Sequence, residues 1–581
     1  MRISARARIT AATLAIAAAA LPAIEPATGQ ATGQDRPESL LPPGVATIQR
    51  LPGVVPTPSP SATPSGTPTP TAIDPAILAE YEMPASARRS LALVGPAGVR
   101  EGALGPDAFG RADGRYLETL MRRVAAPLPS RWLSILLRRT LAAQLTTPAN
   151  VDGADFAAER AWLLLRMGES VAARAVVQGI DNDRYTGKLY QVAMNTALAT
   201  GDPAELCLIA DAGFAATRER GWTLAQSMCA ALSGNAAQAK AQIAVARRRG
   251  IARGIDLQLA QKVVGAGPNG GQAVTIEWAG VDILDAWRFG LAVATGVVIP
   301  ADMFATTGAQ ALSWYALAPS IGLGDRVAAS DVAAGQGVLS SAALVDFYGA
   351  VDAADDMPAV ASATAQDLRS AYIGDTAAAR LAAMKQLWGG RDGALPAYPR
   401  LVLTARAAAR LPVRTALDEA PGLVASMLTA GLDRSAARWR DAVPQGGDAW
   451  AMIALSDPDL RTRLSYSDLS GYSGSGNAAL KQRMLFAGLA GLGRMAPDDI
   501  ERAATALDVR IGAQNVWTRA LDRAAADNEQ GTVVLLAAIG MQTPTWRGVP
   551  PEMLYRIVGA LRAVGLEGEA RMIAAEAIAR V

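Results

Sequence analysis

The segment KVVGAGPNGGQA at 262–273 carries glycines at the spacing of a dinucleotide-binding turn. Gly265, Gly267 and Gly270 form G-x-G-x-x-G, which in Rossmann folds lets the backbone approach a pyrophosphate. That chemistry needs a hydrophobic strand before the glycines and a helix after them. Here the preceding residues have a helical pattern, and the alternation that follows predicts a short strand over 273–278. Because the order is reversed, we expect a loop that closes a helical block, and we expect no cofactor.

A second glycine-rich segment, SDLSGYSGSGNAALKQRM at 467–484, matches phosphate-binding and nucleophile motifs only in part. Gly471 and Gly476 have the spacing of a P-loop, but Asn477 occupies the position of the phosphate-binding lysine. Ser473 lacks the second glycine of a G-x-S-x-G nucleophile elbow. We therefore expect a loop in this segment, with Asn477 capping the helix that follows.

The chain contains no histidine, which removes most of the familiar catalytic machinery. Ser-His-Asp and Cys-His pairs, histidine-containing zinc sites and the commonest general base near neutral pH are all excluded. Carboxylate, lysine or tyrosine chemistry remains open. We expect a protein without catalytic activity.

Two acidic features could still do chemistry. Glu169-Ser170 is similar to the acid of some periplasmic lytic transglycosylases, in which serine follows the glutamate. No separate lysozyme-like domain follows, and the pair lies at a turn between helices, where we expect both residues to cap a helix start. The cluster of Asp352, Asp355 and Asp356 is typical of a solvated helix end rather than of a metal site.

The composition indicates closely packed helices. Apolar residues make up 51% of the 581 residues and aromatic residues only 5%, and alanine supplies much of the apolar content. Alanine favours helices and lets neighbouring helices approach closely. With 55 basic and 53 acidic residues the net charge is +2, which gives no overall attraction to nucleic acid. We expect no nucleic-acid partner.

The N-terminus has the pattern of a Sec-type signal peptide. Three arginines precede a short uncharged apolar segment, and small residues then offer cleavage after Ala23 or after Ala31. A membrane anchor is the alternative, but about 12 apolar residues are too few to cross a hydrocarbon core of ~30 Å. We expect a signal peptide at 1–23, no transmembrane segment, and a periplasmic protein of a Gram-negative bacterium.

Residues 24–75 are predicted to form a disordered linker. Their second half reads LPGVVPTPSPSATPSGTPTPTAIDP, which is rich in proline, threonine and serine. Proline fixes φ and lacks a hydrogen-bond donor, and the small polar residues bury nothing, so no core can form. We expect an extended tether of polyproline character.

Three segments repeat at a period of 33 residues. They read AWLLLRMGESVAARAVV (161–177), NTALATGDPAELCLIA (195–210) and MCAALSGNAAQAKAQIA (228–244). In each, an apolar helix ends at a glycine, which suits the turn because it accepts a positive φ. The predicted turn glycines are Gly168, Gly201 and Gly234, with echoes of the pattern at Gly431 and Gly565.

This pattern resembles the tetratricopeptide repeat, whose unit has an aromatic residue near its start, a turn glycine and an alanine five residues later. Tyr190 and Trp222 stand eleven or twelve residues before their glycines. Five residues after the three glycines stand the small or apolar residues Ala173, Leu206 and Ala239. The period is 33 rather than 34, and no aromatic residue stands eleven residues before Gly168. The resemblance implies an all-α solenoid of helix-turn-helix repeats, a superhelix whose concave surface binds peptides or proteins. An irregular all-helical domain without true repeats is the alternative.

Helical periodicity continues through the rest of the chain. Apolar residues at three- and four-residue spacing predict helices over 401–409, 422–437, 480–493, 500–507 and 554–577. The predicted folded segments are N-terminal repeats at 76–265, a central helical region at 266–400 and C-terminal helical repeats at 401–581.

Cys207 and Cys229 are the only cysteines of the chain. We place Cys207 early in the second helix of the middle repeat and Cys229 late in the first helix of the next, on either side of a turn near 218–221. In antiparallel helices the two residues lie at a similar level, and export favours oxidation, so we predict a disulfide. Two buried free thiols are the alternative.

The predicted function is that of a non-catalytic periplasmic scaffold or adaptor that binds protein or peptide partners in cell-envelope assembly. The alternative is a protein that binds or cleaves an envelope glycan, either peptidoglycan or another polysaccharide, with carboxylates in a helical groove. Two carboxylates roughly 5–10 Å apart across a cleft favour the glycan function. A groove lined by apolar, asparagine and arginine side chains favours peptide binding.

Overall fold

Helices account for nearly all of the regular secondary structure, as the alanine-rich composition predicts. A computed structural model describes residues 84, 86–268, 270–271, 273–389 and 397–581. From residue 84 onward the described residues belong to one compact unit. The predicted all-α fold of packed helix pairs is confirmed. The predicted signal peptide and linker lie outside the described residues.

The first part of the chain is a stack of helix pairs. Its helices are α1 (Gly114–Arg123), α2 (Arg131–Ala142), α3 (Gly153–Arg166), α4 (Ser170–Gln178), α5 (Gly187–Ala199), α6 (Ala210–Thr217), α7 (Arg220–Leu232), α8 (Ala236–Arg248) and α9 (Gly254–Ala266). α3 pairs with α4 and α7 pairs with α8, while α5 is followed by a 3-10 helix at Pro203–Leu208 and then by α6. The first helices of successive pairs also pack together, α3 on α5 and α7 on α9.

The turn glycines have the backbone conformation that a tight helix-turn-helix connection needs. Gly168, Gly201 and Gly234 have φ values of 88°, 70° and 86°, and each lies between the two helical segments of one pair. Gly431 and Gly565 have φ values of 70° and 80°. A side chain in this left-handed region is strained, so glycine is the residue that all five turns accept most easily.

Two aromatic residues contact each other between neighbouring helix pairs. Tyr190 of α5 and Trp222 of α7 are buried, with ring centroids 6.1 Å apart and ring planes at 88°. This edge-to-face contact is a favourable aromatic geometry. Gly213 of α6 lies against the indole, where a Cβ atom would come within 2.7 Å of Trp222.

The central part of the chain returns along the repeats. Its helices are α10 (Ala286–Ala294), α11 (Ala301–Thr307), α12 (Ala309–Leu317), α13 (Leu323–Gln336), α14 (Ser341–Asp352), α15 (Ala359–Ile373) and α16 (Ala377–Trp388). α10 packs on α5 and α9, and α12 reaches α4. The Trp314 indole of α12 donates a 3.1 Å hydrogen bond to the carbonyl oxygen of Leu165 at the end of α3.

The last part of the chain is again made of helix pairs. Its helices are α17 (Tyr398–Ala408), α18 (Ala420–Thr429), α19 (Asp433–Ala437), α20 (Asp448–Ser456), α21 (Tyr466–Ser470), α22 (Ala478–Gly491), α23 (Pro497–Ala506), α24 (Val516–Ala526), α25 (Gln530–Gly540), α26 (Pro551–Ala563) and α27 (Glu567–Arg580). The helical segments predicted over 422–437 and 554–577 each contain one of the predicted turn glycines. The positive φ of Gly431 and Gly565 divides them into α18 and α19, and into α26 and α27.

The two strands of the described residues are not the one that the sequence predicts. β1 (Leu93–Val94) pairs with β2 (Leu145–Thr146) in an antiparallel ladder. The buried Arg160 of α3 holds this corner by donating to the carbonyl oxygens of Ala143, at 2.9 Å, and Val94, at 2.8 Å. The predicted strand over 273–278 is absent, because its alternating residues have no neighbouring strand to supply hydrogen bonds.

α2 joins the three parts of the fold. It packs on α3 and α4, on α13, and on α25 and α27. The carboxylate of Glu576 in α27 accepts hydrogen bonds from Ser130 Oγ (2.7 Å) and from the backbone N–H groups of Arg131 (2.8 Å) and Trp132 (3.1 Å). It thereby satisfies free donors at the positive end of the α2 dipole. Most buried apolar residues of the described ranges consequently form one cluster that runs from Val94 to Val581, and a small second cluster contains Ala316, Ala329, Ala333 and Val338.

The predicted disulfide is confirmed. Cys207 and Cys229 are bonded, with their Cα atoms 5.2 Å apart, and they join the 3-10 helix before α6 to α7. The turn between α6 and α7 lies at 218–219, as predicted. Cys207 is not in an α-helix as expected, because Pro203 begins a 3-10 segment and α6 starts only at Ala210.

Loss of this disulfide should lower the free energy of unfolding by about 3 kcal/mol, because the bridge restricts the unfolded chain. The measurement is urea denaturation of the wild-type protein and of the Cys207→Ser/Cys229→Ser variant, each with and without reductant. Reductant should shift the wild-type midpoint to that of the variant and leave the variant unchanged. Equal midpoints for the wild-type protein and the variant in the absence of reductant would contradict the prediction.

Candidate peptide-binding groove

A groove lies where the first helices of two successive repeats pack side by side. Its volume is about 260 Å³, and its lining side chains come from α1, α3 and α5. They are Arg122, Glu159, Trp162, Lys188, Gln191, Val192 and Asn195. This is the surface on which stacked helix pairs present their first helices, and we refer to it as the α3–α5 groove.

Helical spacing brings these side chains to one surface. Glu159 and Trp162 are three residues apart on α3, and Lys188, Gln191 and Asn195 follow at intervals of three and four residues on α5. Residues at such spacing project from the same face of a helix. Because α3 and α5 pack together, their two faces form a continuous lining.

Charged side chains form a closed cluster at one end of the groove. The Lys188 Nζ lies 2.7 Å from a carboxylate oxygen of Glu118 and 2.7 Å from one of Glu159. Arg122 donates from Nε to Glu159 at 2.6 Å, and its Nη2 lies 3.3 Å from Glu118. The two positive and two negative charges balance, so this end fixes the geometry of α1, α3 and α5.

The two carboxylates are close enough for glycosidase chemistry but are not arranged for it. Their oxygens share one ammonium group, so their separation falls near the ~5–5.5 Å of retaining glycosidases or below it. A general acid, however, must present a protonated oxygen to the leaving group. Glu118 and Glu159 instead accept from Lys188 and Arg122, and the Glu159 residue is only 3% exposed.

The remaining lining is typical of peptide recognition. Trp162 is 40% exposed, whereas Trp222, Trp439 and Trp546 are fully buried in the core. Beside Trp162 lie the apolar Val192 and the carboxamides of Gln191 and Asn195. An exposed indole offers a large contact area, and carboxamides can both donate to and accept from a peptide backbone.

Three of the turn glycines pack closely against other helices, and none of the five lines this groove. A Cβ atom at Gly168 would come within 2.6 Å of Ser313 in α12, and one at Gly201 within 2.7 Å of Val293 in α10. At Gly431 the nearest atom, at 3.1 Å, belongs to Trp132 of α2. The glycines therefore serve close packing as well as the turn, and α10 and α12 cover the edge of the repeats at Gly168 and Gly201.

The G-x-G-x-x-G segment has the helix-first order that its sequence predicts. Gly265 lies in the last turn of α9, and Gly267 follows the end of that helix. A Cβ atom at Gly270 would come within 2.3 Å of the Gly265 carbonyl oxygen, so the glycines let the chain fold back on the helix end. The close approach of the chain to the end of α9 therefore explains the spacing of the three glycines.

The second glycine-rich segment surrounds a buried ion pair. Asn477 caps α22, as predicted, by accepting from the Leu480 N–H at 3.3 Å. Three side chains of this segment donate hydrogen bonds to the carboxylate of Asp448 in α20. They are Ser475 Oγ at 2.6 Å, Lys481 Nζ at 3.0 Å and the Tyr472 hydroxyl. Burial and the contact with Asp448 raise the pKa of Tyr472. The polar groups satisfy one another, which is the arrangement of a structural network.

Glu169 does not cap α4, contrary to the sequence-based expectation. It occupies the N-cap position without a side-chain capping bond, because its carboxylate accepts from Arg138 Nη1 of α2 at 2.9 Å. The same nitrogen donates to the Gly337 carbonyl oxygen at 2.8 Å, so the contact joins α2, α4 and the end of α13. Burial raises the pKa of Glu169 to about 7, and Arg138 opposes that shift.

The raised pKa of Glu169 predicts a pH dependence of stability. The folded state binds the proton more tightly than the unfolded chain, so the free energy of unfolding should fall as pH rises from about 4.5 to about 7. The slope from this group is at most about 1.4 kcal/mol per pH unit. Urea denaturation across this range should show a wild-type slope that Glu169→Gln lacks. Identical pH profiles for the two proteins would contradict the assignment.

The aspartate cluster at the end of α14 holds one ion pair. Asp352 contacts the guanidinium of Arg369 on α15, whereas Asp355 and Asp356 lie in the loop that follows α14. Within the described ranges, no group of three or more acidic or cysteine side chains is placed to hold a metal ion. The helices of the same ranges include none that is long and apolar enough to cross a membrane.

The α3–α5 groove was not predicted, although the sequence contains a signal for it. Trp162 stands six residues before Gly168, and Asn195 stands six residues before Gly201. Equivalent positions of successive repeats therefore bring these two side chains to the same groove.

No family model, curated protein or solved structure matches the chain.

Proposed function

We propose that the protein is a non-catalytic, exported scaffold that binds a protein or peptide partner in the α3–α5 groove. Its place of action is the periplasm, in cell-envelope assembly, and its repeats are tetratricopeptide-like. The disulfide suits an oxidising compartment. The turn glycines and the Tyr190–Trp222 contact support the repeat assignment.

The half-exposed Trp162 carries this proposal. This residue is 40% exposed and lines the groove together with the carboxamides of Gln191 and Asn195, so apolar contact area and polar groups are available in one place. Extended peptides bind such grooves by placing side chains against aromatic residues while polar groups pair with the backbone. Tryptophan is also enriched among the residues that dominate binding energy at interfaces.

Glycan binding is the second candidate, because exposed tryptophan also stacks on sugars and two carboxylates lie nearby. Glu118 and Glu159 are held in ion pairs with Lys188 and Arg122, which leaves few acceptor positions for sugar hydroxyls. Cleavage would require one of them to act as an acid, which these ion pairs oppose. We therefore place peptide binding first and glycan binding second.

Replacing Trp162 by alanine should reduce partner affinity by about tenfold or more, since it removes the central apolar contact of the groove. The measurement is quantitative crosslinking of the tagged protein in its own periplasm, with mass spectrometry of the adducts. Val360→Ala is the matched control, because it shortens an exposed apolar side chain outside the groove. A stoichiometric protein partner that is lost in Trp162→Ala and kept in Val360→Ala supports the proposal. Recovery of a glycan in place of a protein, or equal recovery by both variants, overturns it.

A further inference from the structure

Six arginines lie at one end of the group formed by α7, α8 and α9. α7 and α8 form an antiparallel hairpin of two 13-residue helices, so the start of α7 lies beside the end of α8. α9 packs on both helices and begins six residues after α8 ends, at that same end. The residues there are Arg218, Arg220, Arg247, Arg248, Arg249 and Arg253, and we refer to them as the arginine end.

All six side chains of the arginine end belong to exposed residues. Among the described residues, none of the six forms an ion pair. Arg218 lies over the ring of Phe214, with 5.4 Å from its guanidinium carbon to the ring centroid, and Arg253 leans over Gly250. Their positive charges are therefore directed to solvent.

Three carboxylates near the arginine end, Glu219, Glu277 and Asp282, offset its charge only in part. Glu219 accepts a hydrogen bond from the Gln191 side chain, and Asp256 pairs with Arg288 at 2.7 Å. Glu277 and Asp282 lie on the neighbouring loop and border the surface on one side. Six arginines against Glu219, Glu277 and Asp282 leave an excess of three positive charges at this end, in a chain whose net charge is +2. Four of the arginines lie within 247–253, and the fold adds Arg218 and Arg220.

We propose that the arginine end binds the surface of a membrane that contains anionic phospholipids. Guanidinium groups match phosphate oxygens with two parallel hydrogen bonds. The six groups come from the ends of three helices and from the turns beside them, which suits many phosphates spread over a surface better than a single bound ion. Each arginine near an anionic membrane adds to the attraction, and salt weakens it.

This surface consists of other residues than the α3–α5 groove, and the two adjoin where Gln191 of the groove donates to Glu219. The groove is lined by α1, α3 and α5, whereas the arginine end belongs to the segment from the end of α6 to the start of α9. Failure of one proposal leaves the other standing, because different residues carry them.

The test is co-sedimentation of the purified full chain with vesicles of phosphatidylcholine alone or of equimolar phosphatidylcholine and phosphatidylglycerol. We expect binding only to the mixed vesicles, with affinity falling as salt rises. Reversal of three charges in Arg247→Glu/Arg248→Glu/Arg249→Glu should weaken binding by at least about tenfold. The matched control is Arg434→Glu/Arg461→Glu/Arg463→Glu, which reverses three exposed charges elsewhere and should bind like the wild type.

Three outcomes would overturn the proposal. Equal binding to neutral and mixed vesicles would show that charge is not recognised. Equal losses in the two triple variants would show that only net charge matters. Binding to soluble polyglutamate but not to mixed vesicles would assign the arginine end to an acidic protein instead. Circular dichroism of both triple variants confirms that they remain folded.

Discussion

Replacing Glu576 by alanine should lower the free energy of unfolding by about 3–5 kcal/mol, which is the cost of removing one partner of a buried charged contact. The Glu576 residue is only 4% exposed and accepts three hydrogen bonds at the start of α2. Without it, these donors stay buried without a partner, and Arg580, 2.9 Å away, loses its counter-charge. The change therefore weakens the contact between the first and last parts of the chain.

The control for this prediction is Glu567→Ala, in the first turn of the same helix. Glu567 is exposed and acidic, so its removal should cost only the few tenths of a kcal/mol to ~1 kcal/mol of a favourable helix-dipole contact. Urea denaturation of both variants measures the difference. A Glu576→Ala variant as stable as Glu567→Ala would mean that the end of the chain does not hold α2 in place.

Replacing Asp448 by alanine should be similarly costly, at about 3–5 kcal/mol, because it leaves Lys481 buried without a counter-charge. The two residues are 4% and 5% exposed. The loop at 471–477 closes around this pair so tightly that a Cβ atom at Gly474 would come within 2.1 Å of an Asp448 carboxylate oxygen. Loss of Asp448 therefore frees the loop as well as the charge.

A double-mutant cycle separates the ion pair from simple loss of packing. Lys481→Met alone leaves Asp448 as an unpaired buried carboxylate, whereas Asp448→Ala/Lys481→Met removes both charges. The double variant should be more stable than Asp448→Ala, because it contains no unpaired buried charge. A double variant whose loss equals the sum of the two single losses would show that the two residues act independently.

Local patterns in the sequence predict the helix pairs, their turns and the disulfide. The period of 33 residues and the turn glycines depend only on neighbours in the chain, and a helix hairpin brings Cys207 and Cys229 together across one turn. Such features follow from helical geometry and from the freedom of glycine at positive φ.

Contacts between distant residues could not be predicted in this way. Glu576 reaches α2 across 446 residues of sequence, and the pairing of β1 with β2 brings Leu93 to Thr146. Glu169 was expected to cap its own helix, but Arg138 of α2 provides a stronger, charged partner. The α3–α5 groove could be predicted in part, because Trp162 and Asn195 occupy equivalent positions of two successive repeats.

The most direct test of the central claim is site-specific photo-crosslinking in living cells, with the photoreactive amino acid placed at Asn195 of the groove. Val360, an exposed position outside the groove, serves as the control site. We predict one dominant protein adduct from position 195 that is absent from position 360 and is lost when Trp162 is also replaced by alanine. No protein adduct from position 195, or the same adducts from both positions, would contradict binding of a protein or peptide partner in the groove.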